Sequence, residues 1–204
     1  MNFFVKTAGF LCYLPYALAK RFEQYKIEKF YKSFCIFSSH SKFGKLARIQ
    51  NYQNDKNKIV IGIKTAINGH LMIYKHGGEI NIGDHCFIGE DTRIWSAEKI
   101  TIGNRVLISH NVNIHDQISH PLDSKQRHED YKLIFKYGLQ DNVNLREKAI
   151  IIEDDVWIGF NATILKGVTI GKGSIIGANC LIRNDVPAYA VVVGNPAQII
   201  KYTT

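Results

Sequence analysis

From Asn113 to Tyr131 the chain reads NIHDQISHPLDSKQRHEDY, and the histidines in and just before it, His110, His115, His120 and His128, carry the chemistry worth weighing first. A neutral imidazole titrates near pH 6.5. It can therefore take a proton from a hydroxyl as that hydroxyl attacks a carbonyl, work typically worth about 10² to 10⁴ in rate. His110, His115 and His120 are also spaced by five, and three imidazoles with an open fourth position are what a catalytic zinc ion needs. Against zinc, His110 lies inside a regular repeat whereas His115 and His120 lie on the loop after it, so no metal is expected. Cys12, Cys35, Cys86 and Cys180 show neither metal nor redox spacing.

The scaffold that must hold these side chains is legible from its isoleucines. They recur every six residues: Ile61, Ile67, Ile73; Ile82, Ile88, Ile94; Ile102, Ile108, Ile114; Ile152, Ile158, Ile164; Ile170, Ile176, Ile182. Four residues after an isoleucine the residue is usually small or β-branched, as at Thr65, Cys86, Val106, Val156, Ala162 and Cys180, and glycine often follows the isoleucine directly, as at Gly62, Gly83 and Gly103. A helix face would repeat at i+3, i+4 and i+7 instead, so the period of six predicts a solenoid of short strands. Three units close one triangular coil. The spacing errors after Ile73, Ile94 and Ile114 group the fifteen isoleucines into about five coils, with insertions stacked along one corner. The last insertion, residues 115–151, is a long loop, and long loops in compact domains are usually functional.

The repeat, followed in order by SHPLD (119–123), DDVWIG (154–159), GVTIG (167–171) and IIGANCLIRNDVPAYAVVVGNPAQII (175–200), resembles the hexapeptide-repeat acyltransferases. The likeness is to the branch with maltose, galactoside, xenobiotic and bacterial polysaccharide O-acetyltransferases. It implies an all-β solenoid, a left-handed parallel β-helix whose coil sense is an exception to the right-handed crossover rule. It also implies acetyl-CoA as acyl donor, a homotrimer with active sites between subunits, and His120 as general base, oriented by Asp116 or Asp123 or by a backbone carbonyl. Donor contacts carry over to Trp157, Phe160, Ala178, Arg183, Asn184 and Lys201, where Arg183 and Lys201 could pair with phosphates. The asparagine and aspartate by which galactoside-type relatives hold their sugar have no counterpart in FIGEDTRIWSAEKI (87–100). Trp95, Asp91 and His115, with Glu90, Arg93 and Ser96 nearby, are the acceptor-side candidates instead, and the resemblance leans toward capsule, lipopolysaccharide or sialic acid O-acetylation. Three other readings follow: an N-acetyltransferase of a nucleotide-linked amino sugar, a zinc enzyme resembling the gamma-class carbonic anhydrases of the same fold, and an idle scaffold.

Charge and aromatic content divide the chain. Residues 1–60 hold eleven Lys/Arg against three acidic residues, and thirteen of the twenty-three aromatics, whereas the remaining chain has fifteen of each charge. Residues 1–58 therefore read as a separate basic, aromatic, helical segment broken near Pro15, followed by the β-helix at 59–186 and a tail at 187–204. The apolar run from Ala8 to Ala19 is well short of the roughly 20 residues that span a bilayer. Capping the solenoid's first coil is the expected role of this segment, with contact to an anionic membrane surface as the alternative. The basic residues follow no nucleic-acid-binding motif. Acetyl-CoA chemistry and unpaired cysteines point to the cytoplasm.

Overall fold

The computed structural model describes residues 18–19, 21–38, 40–140 and 144–203. Until the last circuit, hydrogen bonding joins each strand to the third one after it, so three parallel sheets are laid down in rotation. The first holds Ile36–Phe37, Ile59–Ile61, Ile80–Ile82, Ile100–Ile102, Ile150–Ile152 and Thr169–Ile170. The second holds Lys42–Phe43, Ala66–Ile67, Phe87–Ile88, Leu107–Ile108, Trp157–Ile158 and Ile175–Ile176, and ends in Ala190–Val193 and Gln198–Tyr202. The third holds Arg48–Asn51, His70–Ile73, Arg93–Ser96, Asn113–His115, Thr163–Leu165 and Leu181–Ile182.

The isoleucines meet in register on the inner faces. Ile67, Ile88, Ile108, Ile158 and Ile176 form one such column, and each is at most 1% exposed. The small residues Thr65, Cys86, Val106, Val156 and Ser174 are buried beside them. Alternation along each strand sends the intervening side chains outward. Glycine follows isoleucine because the corners of successive circuits touch: a Cβ on Gly83 would fall 2.6 Å from the carbonyl oxygen of Gly103. At the corner between the second and third sheets the left-handed positions are Asp91, Asn111, Asn161 and Asn179, residue types that tolerate that backbone.

Three boundaries differ from the sequence reading. Strand pairing begins at Ile36, not 59: Phe37 sits against Ile61 and Phe43 against Ile67, so phenylalanines occupy the inward position of a circuit that an isoleucine count misses. Only the part ahead of it, with residues 18–19 and 21–31 helical, fits the helical expectation for 1–58. Its Ile27, Tyr31 and Phe34 pack on the core, and the Tyr31 hydroxyl donates to the Ala47 carbonyl at 2.6 Å. That is the capping arrangement; residues 1–17, including Cys12 and Pro15, lie outside the described residues. Second, Leu71 rather than Ile73 faces Ile94, because the turn at Gly69 closes early against Thr92, whose carbonyl oxygen would lie 2.5 Å from an added Cβ. Third, the 187–204 tail is not a mere tail: Val192 extends the second sheet's inner column beyond Ile176, and Gln198–Tyr202 returns antiparallel to it.

Candidate active site

The 115–151 insertion is tied down at both ends. Asp116, fully buried, accepts from the Ser96 hydroxyl at 2.6 Å and from the backbone N–H groups of Ala97 and Glu98 at 2.7 and 3.0 Å. Burial raises its carboxyl above the usual range, while these bonds pull it back down. Next in the chain, the Gln117 amide donates to the Tyr74 hydroxyl at 2.8 Å and accepts from the Ser119 N–H. The loop's far end closes on its start through Ile118 N–H to Leu145 O and Lys148 N–H to Asp116 O, at 3.1 and 2.9 Å. Leu145 completes a small core with Met72, Tyr74 and Ala97. Asp116→Ala strands the buried Ser96 hydroxyl and Ala97 N–H and frees the Glu98 N–H. It should cost roughly 1–3 kcal/mol and speed hydrogen exchange at the Ile118 and Lys148 amides; a urea melt and an exchange map check both.

Inside this loop Asp123 caps the helix Ser124–Tyr137, accepting from the Gln126 N–H at 2.9 Å. About two turns on, the helix carries Asp130, 7% exposed, whose carboxylate lies 2.9 Å from Nδ1 of His120. This corrects the sequence expectation. Asp116 serves the loop's root and Asp123 the helix N-terminus, so the carboxylate that orients His120 is Asp130. With Nδ1–H donating to Asp130, the imidazole keeps Nε2 as its lone-pair nitrogen. The ring itself is about half exposed, 48%, so that nitrogen can meet a substrate.

On the outer face of the third sheet, Trp95 and His115 stack face to face, centroids 4.8 Å apart with planes 8° from parallel. The Trp95 indole N–H donates to Nδ1 of His70 at 3.2 Å, which leaves Nε2–H of His70 to donate to Gln50 at 2.7 Å. His70 is thereby fixed neutral, and burial with Arg48 and Arg93 nearby lowers its pKa. Burial, and then Arg93, lowers His115 to about 4. Arg48, His70, Asp91 and Arg93 line a cavity of about 150 Å³ with Leu46 and Gly69. Ser96, read as an acceptor-side residue, is instead fully buried and bonded to Asp116.

The donor-side candidates occupy the later circuits. Trp157 is exposed on the second sheet between Leu107 and Ile175. Phe160 stacks on His110 at 5.3 Å, and its carbonyl accepts from Asn179 N–H at 3.0 Å, which sets Ala178 on the next circuit of the same corner. Arg183 and Asn184 line a cavity of about 580 Å³ together with Asn195, Pro196, Ala197 and Gln198. Lys201 pairs with Val191 on the returning strand. The acceptor-side candidates His115, Trp95 and Asp91 thus lie on the middle circuits, with His120 on the loop that follows, and the six donor-side candidates lie on the later ones. His110, His115 and His120 do not converge: their partners are Phe160, Trp95 and Asp130 respectively, and among the described residues no three His, Cys, Asp or Glu side chains are grouped as a cation site.

Six-residue units wound into three parallel sheets, with a histidine–carboxylate pair on a loop anchored to one corner, define a hexapeptide-repeat protein. The family models for "Bacterial transferase hexapeptide (six repeats)" and "Hexapeptide repeat of succinyl-transferase" match residues 149–184 and 79–115. The two matched stretches carry the hexapeptide repeat, and the chain is similar to the acyltransferases built on that repeat. A Schizosaccharomyces pombe protein provisionally named an acetyltransferase is 35% identical over 130 residues, 64% of this chain and 56% of its own. An Escherichia coli K12 protein, WbbJ, provisionally named a lipopolysaccharide biosynthesis O-acetyl transferase, is 33% identical over 130 residues, 61% of each. The chain therefore spans less than two thirds of these relatives' length. The crystal structure of AntD, an N-acyltransferase from Bacillus cereus in complex with dTDP and 3-hydroxybutyryl-CoA, superposes with a TM-score of 0.67 at 18% identity over 89% of this chain and 90% of that one.

Proposed function

We propose that this protein is an acetyl-CoA-dependent O-acetyltransferase acting on a hydroxyl of a bacterial surface carbohydrate of capsule, lipopolysaccharide or sialic acid type. The His120–Asp130 pair carries the reading: a half-exposed imidazole, held in one tautomer by a buried carboxylate, is built to accept one proton. Acetyl-CoA supplies the thioester carbon. Nε2 of His120 takes the acceptor's hydroxyl proton as the new carbon–oxygen bond forms, and returns it to the sulfur released as the carbon–sulfur bond breaks. Asp130 stabilises the imidazolium between the two transfers.

Arg183, Asn184 and Lys201 hold the donor's charged portion, and Trp157, Phe160 and Ala178 flank its arm. The 580 Å³ cavity at Arg183 and Asn184, which Asp185 also lines, supports that assignment in size. The donor and acceptor residues lie on different circuits and sheets of one chain, which suits a left-handed β-helix trimer whose sites form between subunits. Exposed Phe87, Leu107 and Trp157, adjacent in register on one sheet, give such an interface its apolar strip. Acetyl-CoA chemistry places the work in the cytoplasm, and no helix among the described residues is long and apolar enough to cross a membrane. An amine acceptor, as in an N-acetyltransferase of a nucleotide-linked amino sugar, would use the same base. The test is thiol release from acetyl-CoA, with chelator present, against capsule oligosaccharides, sialic acids and amino sugars. Acceptor-dependent release is expected with hydroxyl acceptors. Release with amino sugars alone moves the reading to N-transfer, and none with any acceptor overturns it.

A further inference from the structure

We propose that the acceptor is an acidic saccharide whose phosphate or carboxylate is gripped by Arg48 and Arg93 in the pocket beside Trp95. This rests on the acyl-transfer reading and adds the acceptor's charge to it.

Arg48, His70 and Arg93 are direct neighbours in register on three consecutive strands, alternating with the inward Ile49, Leu71 and Ile94. Strands lie about 4.8 Å apart, so the two arginine Cα atoms are separated by roughly 10 Å with the imidazole between them. Like charges so close on one sheet face cost free energy unless something of opposite sign lies across them. Among the described residues no carboxylate forms an ion pair with either arginine, and the one hydrogen bond from the Arg93 side chain goes to the neutral amide oxygen of Asn113 at 3.3 Å. Arg105, by contrast, is held by both Asp154 and Asp155 at 3.3 and 2.6 Å.

The histidine between the arginines does not add a third positive charge, because Trp95 donates to one of its nitrogens and Gln50 accepts from the other. Asp91 is the one carboxylate lining the cavity, and it is paired with neither guanidinium. The group as a whole keeps one net positive charge. It offers two guanidinium forks for an oxyanion and one carboxylate to accept from sugar hydroxyls.

The pocket also stands where an acceptor must begin. Its wall, His70, is bonded to Trp95, and Trp95 stacks on His115 in the adjacent strand, the strand that leads into the His120 loop. Arg93 stands in register beside His70, and its charge adds to burial in lowering the pKa of His70 and of His115. A saccharide anchored by its acid in the 150 Å³ cavity can lay its ring along Trp95 and run toward the base.

Trp95 and Trp157 are the two tryptophans of the chain, so a Trp157→Phe background leaves Trp95 as the sole indole reporter. In that background Trp95 fluorescence is titrated with glucose 1-phosphate, glucuronate and glucose, at low and high salt. At least one of the two acids should bind ten or more times tighter than glucose, with an advantage that shrinks in salt. A phosphate-only or carboxylate-only preference then identifies the source of the charge. Arg48→Gln and Arg93→Gln should each weaken the acid about ten- to a hundredfold while leaving thermal unfolding and the weak glucose signal in place. The proposal is overturned if acids and glucose bind alike, or if the doubly substituted protein keeps its preference for acid. Acetyl transfer to neutral saccharides that ignores both arginines would preserve the transferase and discard the acidic acceptor. Acid binding by a protein that transfers acetyl to nothing would remove the transferase reading, and this acceptor assignment with it.

Discussion

His120→Gln should lower kcat for acetyl transfer by about 10² to 10⁴, the full worth of a general base, and leave the KM for acetyl-CoA within a few-fold of wild type. Glutamine keeps a polar side chain of similar reach but cannot accept and return a proton. Asp130 acts one step back, through the ring it holds, so Asp130→Asn should cost nearer the lower end, about 10². The asparagine amide can turn its N–H₂ toward Nδ1, which puts the ring proton on Nε2 and blunts the base. Because Asp130 is a positioning residue, two further readouts separate its role from simple damage to the fold. Thermal unfolding of Asp130→Asn should stay close to wild type, as should its KM for acetyl-CoA, with the loss confined to kcat. Asp130→Glu, which restores the charge on a longer arm, should regain part of it. Equal losses in kcat and in acetyl-CoA affinity would mean that Asp130 supports the loop as a whole rather than the imidazole. An unchanged rate for His120→Gln would remove the proposed base altogether.

How far the sequence spoke for itself depended on whether a residue's role was set by its neighbours along the chain or across it. The six-residue isoleucine period fixes the inward columns locally, since each unit must bury one large and one small residue. Fourteen of the fifteen isoleucines sit where that argument puts them, with Ile73 the exception. The circuit at Phe37, Phe43 and Ile49 obeys the same physics with a different apolar residue. It escapes a count of isoleucines but not a count of large apolar side chains at the same period. His120 was legible from its motif, while its partner was not. The helix Ser124–Tyr137 bears exposed Tyr131, Leu133, Phe135 and Tyr137, so it shows no clear apolar stripe to mark it in the sequence. Without the helix, Asp130 is one acid among several, and Asp116 and Asp123 are nearer in sequence. The Arg48–His70–Arg93 group was hidden for a stronger reason. Its members are 22 and 23 residues apart, separations set by insertions at the corner, and only the sheet register brings them side by side.

His115 shows what it costs to cover a histidine on the outer face of that sheet. Its ring lies flat against Trp95, its Nε2 is shielded from water with no hydrogen-bond partner, and burial together with Arg93 brings its pKa down to about 4. An unfolded chain holds the same histidine near 6.5. Above that value both states keep the ring neutral, and the histidine adds no pH dependence. As the pH falls below it, the unfolded chain binds a proton that the folded protein refuses, so stability drops by about 1.4 kcal/mol per pH unit. The decline ends near pH 4, where the folded ring also charges, after a total loss of about 3 kcal/mol. His115→Phe keeps a flat ring for the Trp95 stack, loses no bond at Nε2 and cannot take up the proton. Urea unfolding of both proteins at pH 7, 5.5 and 4 isolates this one residue, because every other group titrates alike in the pair. The variant's advantage should be smallest at pH 7 and should grow by about 3 kcal/mol on the way to pH 4. Parallel stability curves would mean that the His115 ring is solvated in the folded protein, and that the face joining the Arg48–Arg93 pocket to the His120 loop is open to water rather than closed beneath Trp95.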